Sequence, residues 1–539
     1  MTLTSTRTGI IASLVFLSSI FFFSHAAVAE TVFYVDPNWG GQANGSASTP
    51  WRSLDSSAWG TINAALASDS VTVYFSARVA SSDTDQTTTT PLQILRTNTS
   101  SRRLTLDGMS QYNTSDTVPS WLPYSGSSRF RITVAGSGQA AVTTSNFGTT
   151  TSRNYVTLRG FRIIGGTQGA VIANASHWII ELNDISNSGT DASGVALQMY
   201  CSASLVGNEM PDAAIGTFGT DVIIRNNTVH DSSQEAIYIG GYYKLASTGT
   251  TAHVAFTDMV IENNTIYNAG RLSEGNCIDI KDGQVNMIVR GNTCQQVTDT
   301  GNTSTAIVVE GCAVIERNYV ANFSNGIALV AAYHSVNGRN GCEVRNNILV
   351  KNTATGPFAD YQSGIELRGV NDGNVAYKWT NTKVYDNTIY GNPVGVQVPG
   401  AEAGHDNITV TNNILSENTG PQLRAVAGLI VSHTNNLYFK SAVGTLVTFG
   451  SNSYTAATIT SFEATAKAVD PQLVNPTVAA GPPGFKLRAT SPASGAAVAL
   501  GSFTNDYSGL TRVIPWDMGA WALLSPASAP AVPTALTVQ

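Results

Sequence analysis

Through the middle of the chain, apolar and polar residues alternate with period two in short runs, and the runs recur. VIIRNNTV ends at Val229, MVIENNTI at Ile266, MIVRGNTC at Cys294 and AVIERNYV at Val320. CEVRNNIL, TKVYDNTI and ITVTNNIL follow, ending at Leu349, Ile389 and Leu415, with weaker copies ending at Ile185 and lying near Asn436. The aligned asparagines are Asn183, Asn227, Asn264, Asn292, Asn318, Asn347, Asn387 and Asn413. Most steps between them are roughly 23 to 30 residues, the length of one solenoid coil.

Each unit carries two alternating runs. The first is V-x-x-N-x-apolar, as in Val289, Asn292 and Cys294; the second follows a turn, as in Ala236-Ile237-Tyr238-Ile239 and Gly364-Ile365-Glu366-Leu367. Period-two alternation predicts strands with one buried face. Runs this short, joined by Gly, Asn and Ser turns, leave no room for crossover helices. A parallel coil satisfies the pattern: each strand pairs with its equivalent in the next coil, about 4.8 Å away. The inward aliphatics then stack into one core, with Cys294 as a small member of the column of Val229, Ile266, Val320 and Leu349. The repeated asparagine is expected to stack at the turn, its amide bonding to neighbouring coils and accepting the bend.

Composition places this solenoid. Charged residues are only 12% and the net charge is −7, which argues against general affinity for nucleic acid or anionic membranes. Residues 1–29 read as a secretory signal peptide. Arg7 flanks an apolar stretch from Gly9 to Phe23, and Ala27-Val28-Ala29 offers a cleavage site before Glu30. The mature protein is expected to be secreted or periplasmic, monomeric and without membrane insertion. The cysteines are Cys201, Cys277, Cys294, Cys312 and Cys342. An odd count leaves at least one unpaired in a monomer, and none forms a CxxC metal pattern. Cys312 with Cys342 is the most plausible single bridge, with two free buried thiols as the equal alternative. His230 and His334 are isolated and read as turn residues.

On these repeats the chain resembles the right-handed parallel β-helix proteins of the pectate-lyase-like superfamily. The resemblance spans roughly residues 31–525 and implies an all-β solenoid with an N-terminal cap that includes a short helix. Residues 30–110 would hold the first strand, a capping helix from Asp55 to Leu66 and the first coils. Residues 111–440 would form the β-helix coils. DPQLVNP, GFKLRATSPASGA, DYSGLTR and DMGAW would form closing coils over 441–524, and 525–539 is a Pro- and Ala-rich tail.

The outward residues of the second run form a grid. Aligned on the inward aliphatics, one column holds Ala196, Tyr238, Asp279, Val308, Ala328, Glu366 and Gln397. The other holds Gln198, Gly240, Lys281, Glu310, Val330, Arg368 and Pro399. Around Lys281, IDIKDGQVNMIVRGNT resembles the lysine-bearing strand of the alginate lyase and chondroitinase B family. That resemblance implies β-elimination on a uronic-acid polysaccharide with Lys281 as base. Asp279, Glu310 and Tyr238 would be its catalytic neighbours; Arg368, Glu366, Tyr242, Tyr243 and Gln198 would contact substrate. The sequence departs from that family on the next coil. Val309-Glu310-Gly311 stands where the family keeps an arginine, and two acids near Lys281 would raise its pKa.

A glycoside hydrolase is the second reading, because Asp279 and Glu310 lie diagonally on adjacent strands, roughly 8 Å apart at Cα by strand and pleat spacings. A uronate C5-epimerase would use related proton chemistry. The third reading is a non-catalytic glycan-binding or surface scaffold, with Gly240 to Lys244 as an aromatic sugar grip. No cofactor is demanded; Asp279, Asp282 and Asp299 leave room for calcium without forming a clustered carboxylate loop.

Overall fold

A computed structural model describes residues 30–77, 84–111, 122–123, 128–135, 140–144, 153–173, 175–187, 194–200, 209–210, 219–240, 242–245, 251–253, 256–281, 283–298, 301–331, 340–357, 362–369, 371–372, 375–376, 378–399 and 405–523. The expected signal peptide and the Pro- and Ala-rich tail lie outside them, as do Cys201, Asp282, Asp299 and His334. Among the described residues no helix is long and apolar enough to cross a membrane.

Among the described residues the strands wind into three long sheets of 15, 12 and 13 strands, parallel along the coils. In each coil the chain passes through the first sheet, then the second, then the third. One such coil runs through Met287–Arg290, Thr293–Gln295 and Thr305–Val309. Inward residues stack in register, so Val229, Ile266, Cys294, Val320, Leu349, Ile389 and Leu415 form one continuous column. All seven are fully buried.

The step from first sheet to second is the fixed point of the coil. From Thr220–Arg225 through Ile430–Thr434, the two strands are separated by two residues, such as Asn226-Asn227, Gly291-Asn292 and Asp386-Asn387. The first of the two takes a left-handed backbone: φ is 55° at Asn226 and Asn263, 64° at Gly291, 56° at Arg317 and 55° at Asp386. Asn, Asp and Gly tolerate that conformation best, which accounts for most residues found there. The second residue is the repeated asparagine, and the preceding residue, not this one, makes the bend.

The repeated asparagines form a ladder. The main-chain N–H and the Nδ2 of Asn292 both donate to Oδ1 of Asn318, at 3.0 and 3.1 Å. Asn318 repeats this to Asn347, and its Nδ2 also donates to the Val289 carbonyl. The chain of bonds runs from Asn183 to Asn436 and ends on Glu463, whose carboxylate accepts from the Asn436 main-chain N–H, the Asn436 Nδ2 and the Tyr438 hydroxyl.

Both ends are closed differently. The predicted capping helix is present as α1 (Ser56–Ala65), with Asp55 as N-cap accepting from the Ala58 N–H and Leu66 as C-cap. Trp59, Ile62 and Leu66 are buried over the open end of the solenoid core. After the antiparallel pair Val447–Phe449 and Asn452–Tyr454 the C-terminal segment adds one parallel bridge, Leu437 with Lys467, and no full coil. Instead it lies along the outside of the second sheet. Phe485, Leu487, Met518 and Ala520 pack there on Tyr319, Ile348, Val350 and Ile414. The turn-rich phrases read as closing coils are therefore a strap: without alternating runs they cannot add rungs, but their apolar residues cover a sheet face.

Two disulfides are formed, Cys277–Cys294 and Cys312–Cys342, with Cα atoms 5.9 and 4.9 Å apart. The second matches the expected bridge. The first corrects the reading of Cys294 as a plain core residue: Cys294 faces inward from the second sheet, and Cys277 meets it from just before Ile278–Ile280, the third-sheet strand of the preceding coil.

Asn318→Ala should expose how much the ladder contributes. It orphans the buried Asn292 N–H and the Val289 carbonyl, each worth about 1–3 kcal/mol. Denaturant unfolding should report a loss of about 3 kcal/mol. A loss well below 1 kcal/mol would mean that the ladder is incidental to stability.

Candidate functional site

The third sheet carries the candidate residues. Its register places Tyr238 beside Asp279, and Asp279 beside Val308. Glu310 follows directly after the strand Thr305–Val309, and its N–H donates to the Ile280 carbonyl, setting Glu310 across from Lys281. The columns continue through Val330 to Arg368 and through Ala328 to Glu366 and Gln397, as expected. Gln198 is the exception. It pairs with Tyr238, and Tyr200 is the residue opposite Gly240. A two-residue slip keeps every side chain on its own face, so the hydrophobic pattern could not distinguish the two registers.

Lys281 is clamped. Its Nζ lies 3.2 Å from Asp279 Oδ2 and 3.3 Å from Glu310 Oε1. Asp279 is 1% exposed and Glu310 6%. Burial opposes the charge of Lys281, but the two carboxylates outweigh it and raise the lysine pKa well above its ordinary value. The amine is thus kept as ammonium, the opposite of what a proton-abstracting base requires.

The structure adds two acids that the alternating pattern did not single out, Glu235 and Glu274. The Ala236 N–H donates to the Asn276 carbonyl, so Glu235 lies one coil away from the Asn276 turn. Asn276 Nδ2 reaches both Asp279 Oδ2 and Glu274 Oε1 at 3.3 Å. Gln234 donates to one oxygen of Glu235 at 3.1 Å. The other oxygen, Oε2, has no partner, and neither has Oδ1 of Asp279. Burial first, then the charge of Asp279, pushes the Glu235 carboxyl up to about 8. Burial also lifts Asp279 to about 6, held down by Lys281 and pushed further up by Glu310 and Glu274. Among the described residues, four acids face one lysine here. Both acids precede their strands, outside the alternating runs; extending the columns back into the turns would have found them.

The charge balance is unusual for this molecule. On the first sheet, Glu181, Arg225, Glu262, Arg290, Glu316 and Arg345 are successive neighbours across strands. Their signs alternate, with pairs such as Arg225–Glu181 and Arg290–Glu262 at 2.7 Å. That face is neutralised rung by rung, whereas the third-sheet cluster is left acid-rich.

The remaining candidates fall elsewhere. Arg368 and Glu366 pair with each other through bonds of 3.0 Å, and Asn325 also donates to Glu366. Outward Val308, Ala328 and Val330 form a small apolar patch between this pair and Lys281. Gln198 accepts from Gln168 at 2.7 Å. The side chains of Tyr242 and Tyr243 lie outside the described ones. His230 is no turn residue: it ends the strand Thr228–His230, bonded to Asp184 on the neighbouring strand of the second sheet and to Asp231 just after its own. Among the described residues no three His, Cys, Asp or Glu side chains are grouped to hold a metal ion.

These features define a three-sheet parallel solenoid with a buried acid cluster on one outer face. A family model, the right handed beta helix region, matches residues 145–301 and 213–415, together half of the chain, and the chain belongs to that family. The pectate-lyase-like resemblance is thereby borne out for the fold. Among solved structures, XylC with xylose is similar at 12% identity and a TM-score of 0.47, covering 92% of this chain and 98% of that one. Pectate lyase Pel9A is similar at 12% identity and 0.42, over 92% and 97%. The alginate lyase from Paenibacillus sp. str. FPU-7 is similar at 13% identity and 0.36, over 65% and 96%. No curated protein matches the chain.

The raised carboxyl of Glu235 sets a pH dependence of stability. An acid whose folded pKa lies above its unfolded value imposes no cost at low pH. The folded state then loses stability as pH climbs from the ordinary value of 4.5 to about 8. Glu235→Gln should therefore be more stable than the parent at pH above about 8, by a few kcal/mol, and nearly equal to it at pH about 4. Melting curves at the two pH values check this; equal destabilisation at both would contradict a proton held on Glu235.

Proposed function

We propose that this protein is an exported glycoside hydrolase acting on an uncharged polysaccharide, with Asp279 and Glu310 as its carboxyl pair. The carrying observation is that both carboxylates grip one ammonium, that of Lys281, in a buried cluster. Their two lysine-bound oxygens can be no further apart than those contacts laid end to end. This is at most the short end of the about 6.5–9.5 Å used for inversion, and it admits the about 5–5.5 Å used for retention.

Asp279, lifted to about 6, is the general acid that protonates the leaving glycosidic oxygen. Glu310 attacks the anomeric carbon on the opposite side, breaking the glycosidic bond and forming a glycosyl ester. Water then cleaves the ester, with Asp279 now taking the water's proton. Lys281 orients both groups and keeps their charge from accumulating. Glu235, protonated through neutral pH, adds an acid beside Asp279 without adding charge. Tyr238, next to Asp279 in the register, offers a ring face to a sugar.

β-Elimination fits less well on two counts. It needs a neutral amine at Lys281, and an acid-rich site repels a uronate carboxylate. The long connections from Tyr200 to Thr220, Gly240 to Phe256, Ala331 to Glu343 and Gly369 to Lys383 all follow strands of the third sheet.

Incubation with uncharged and uronate polysaccharides distinguishes the readings. New reducing ends with retained anomeric configuration are expected, and Asp279→Asn and Glu310→Gln should each cost about 10²–10⁴-fold in kcat. The rate should fall as pH rises through about 6. Lys281→Met should move that fall to higher pH, because Lys281 lowers the Asp279 pKa. Products with the ultraviolet absorbance of an unsaturated uronate would return the reaction to β-elimination with Lys281 as base. Binding without cleavage would leave a glycan-binding scaffold.

A further inference from the structure

A cavity lies on another face of the molecule, where the C-terminal strap crosses the last coils of the second sheet. Its volume is about 470 Å³, within the ~300–1,000 Å³ range of small-ligand sites. Its floor is one column of the second sheet: Tyr390 on the strand Thr388–Tyr390, Ser416 on Ile414–Ser416 and Phe439 on Leu437–Phe439. The two aromatic residues are two rungs apart, about 9.6 Å along the stack. The serine between them leaves a notch with a ring on either side. Tyr390 is held by an edge contact with buried Phe485 of the strap, ring centres 5.9 Å apart.

Ser416 is the informative residue. It is 1% exposed, and its hydroxyl has no hydrogen-bond partner. A buried hydroxyl without a partner costs about 1–3 kcal/mol, so the notch favours a guest that supplies one. Around it stand Glu417 and Asp470 on one charge and Arg488 on the other. The Glu417 carboxylate already accepts from the Ser441 N–H and hydroxyl, and no three metal-ligating side chains are grouped among the described residues. A cation is therefore poorly served, and two acids against one arginine disfavour an anion. Ring faces for C–H groups, with a hydroxyl and mixed charges for polar ones, suit a pyranose.

We propose that this cavity is a secondary glycan site for one neutral sugar residue, lying on a different sheet from the Asp279–Glu310 pair. It does not depend on the reaction assigned to that pair. The probes are the methyl glycosides of glucose, galactose, mannose and xylose at roughly 10 mM, read by saturation-transfer NMR on the full chain. At least one should bind, and Ser416→Leu, which fills the notch, should weaken it about tenfold or more while circular dichroism stays unchanged. Phe439→Ala, at a partly exposed position, should also weaken binding and serves if Ser416→Leu fails to fold. The proposal is overturned if none of the sugars binds. It is equally overturned if binding survives both variants, or is lost only in Asp279→Asn, which would seat the sugar on the third sheet.

Discussion

Everything in this molecule hangs from the asparagine ladder. Each rung satisfies a buried main-chain N–H, a carbonyl and the side-chain amide of its neighbour, so the tightest bend in the coil carries no unmet polar group along most of the stack. The left-handed residue before each asparagine turns the chain in the shortest space, and two residues always suffice. That fixed step sets the phase of the first and second sheets and lets the inward aliphatics meet in continuous columns. The ladder needs a terminator that accepts without passing the pattern on, and Glu463 provides it. Burial raises the pKa of that carboxyl, while the Asn436 and Tyr438 donors hold it down.

The same regularity determined what could be read in advance. The N-x-T phrase placed Asn183 to Asn413 in one column, and the inward aliphatics around Cys294 fell into register with no structure to guide them. Asp279, Lys281 and Glu310 were legible for the same reason: alternation assigns a face, and coil spacing assigns a neighbour. Gln198 was misplaced by two residues because alternation has period two and cannot resolve a shift of one period. Glu235 and Glu274 were missed because turns have no period at all. The Cys277–Cys294 bridge crosses from one sheet to another between successive coils, a proximity that columns drawn along single sheets do not report. The strap was mistaken for coils because its phrases carry no periodic pattern of their own; its contacts depend on a sheet face that exists only after folding.

Electrostatics separates the two decorated faces. On the first sheet, acid and arginine succeed each other coil by coil, and the field they make cancels within a rung or two. On the third sheet, one ammonium serves several carboxyls, and the excess is met by keeping protons on Asp279 and Glu235 beyond the pH at which exposed acids release them. Proton retention in a buried cluster lowers stability as pH rises, and the alternating ladder on the first sheet shows that this chain could have neutralised the face.

The unequal connections have an evolutionary meaning. The step carrying the ladder admits no insertion, because one extra residue would break the bond to the next coil. The edge where the third sheet ends accepts segments as short as that from Val309 to Ala313 and as long as that from Tyr200 to Thr220. Inheritance is thereby partitioned: one side of every coil is frozen by hydrogen bonding, and the other is free to be lengthened, trimmed or exchanged. Such a molecule can vary one edge without relearning how to fold.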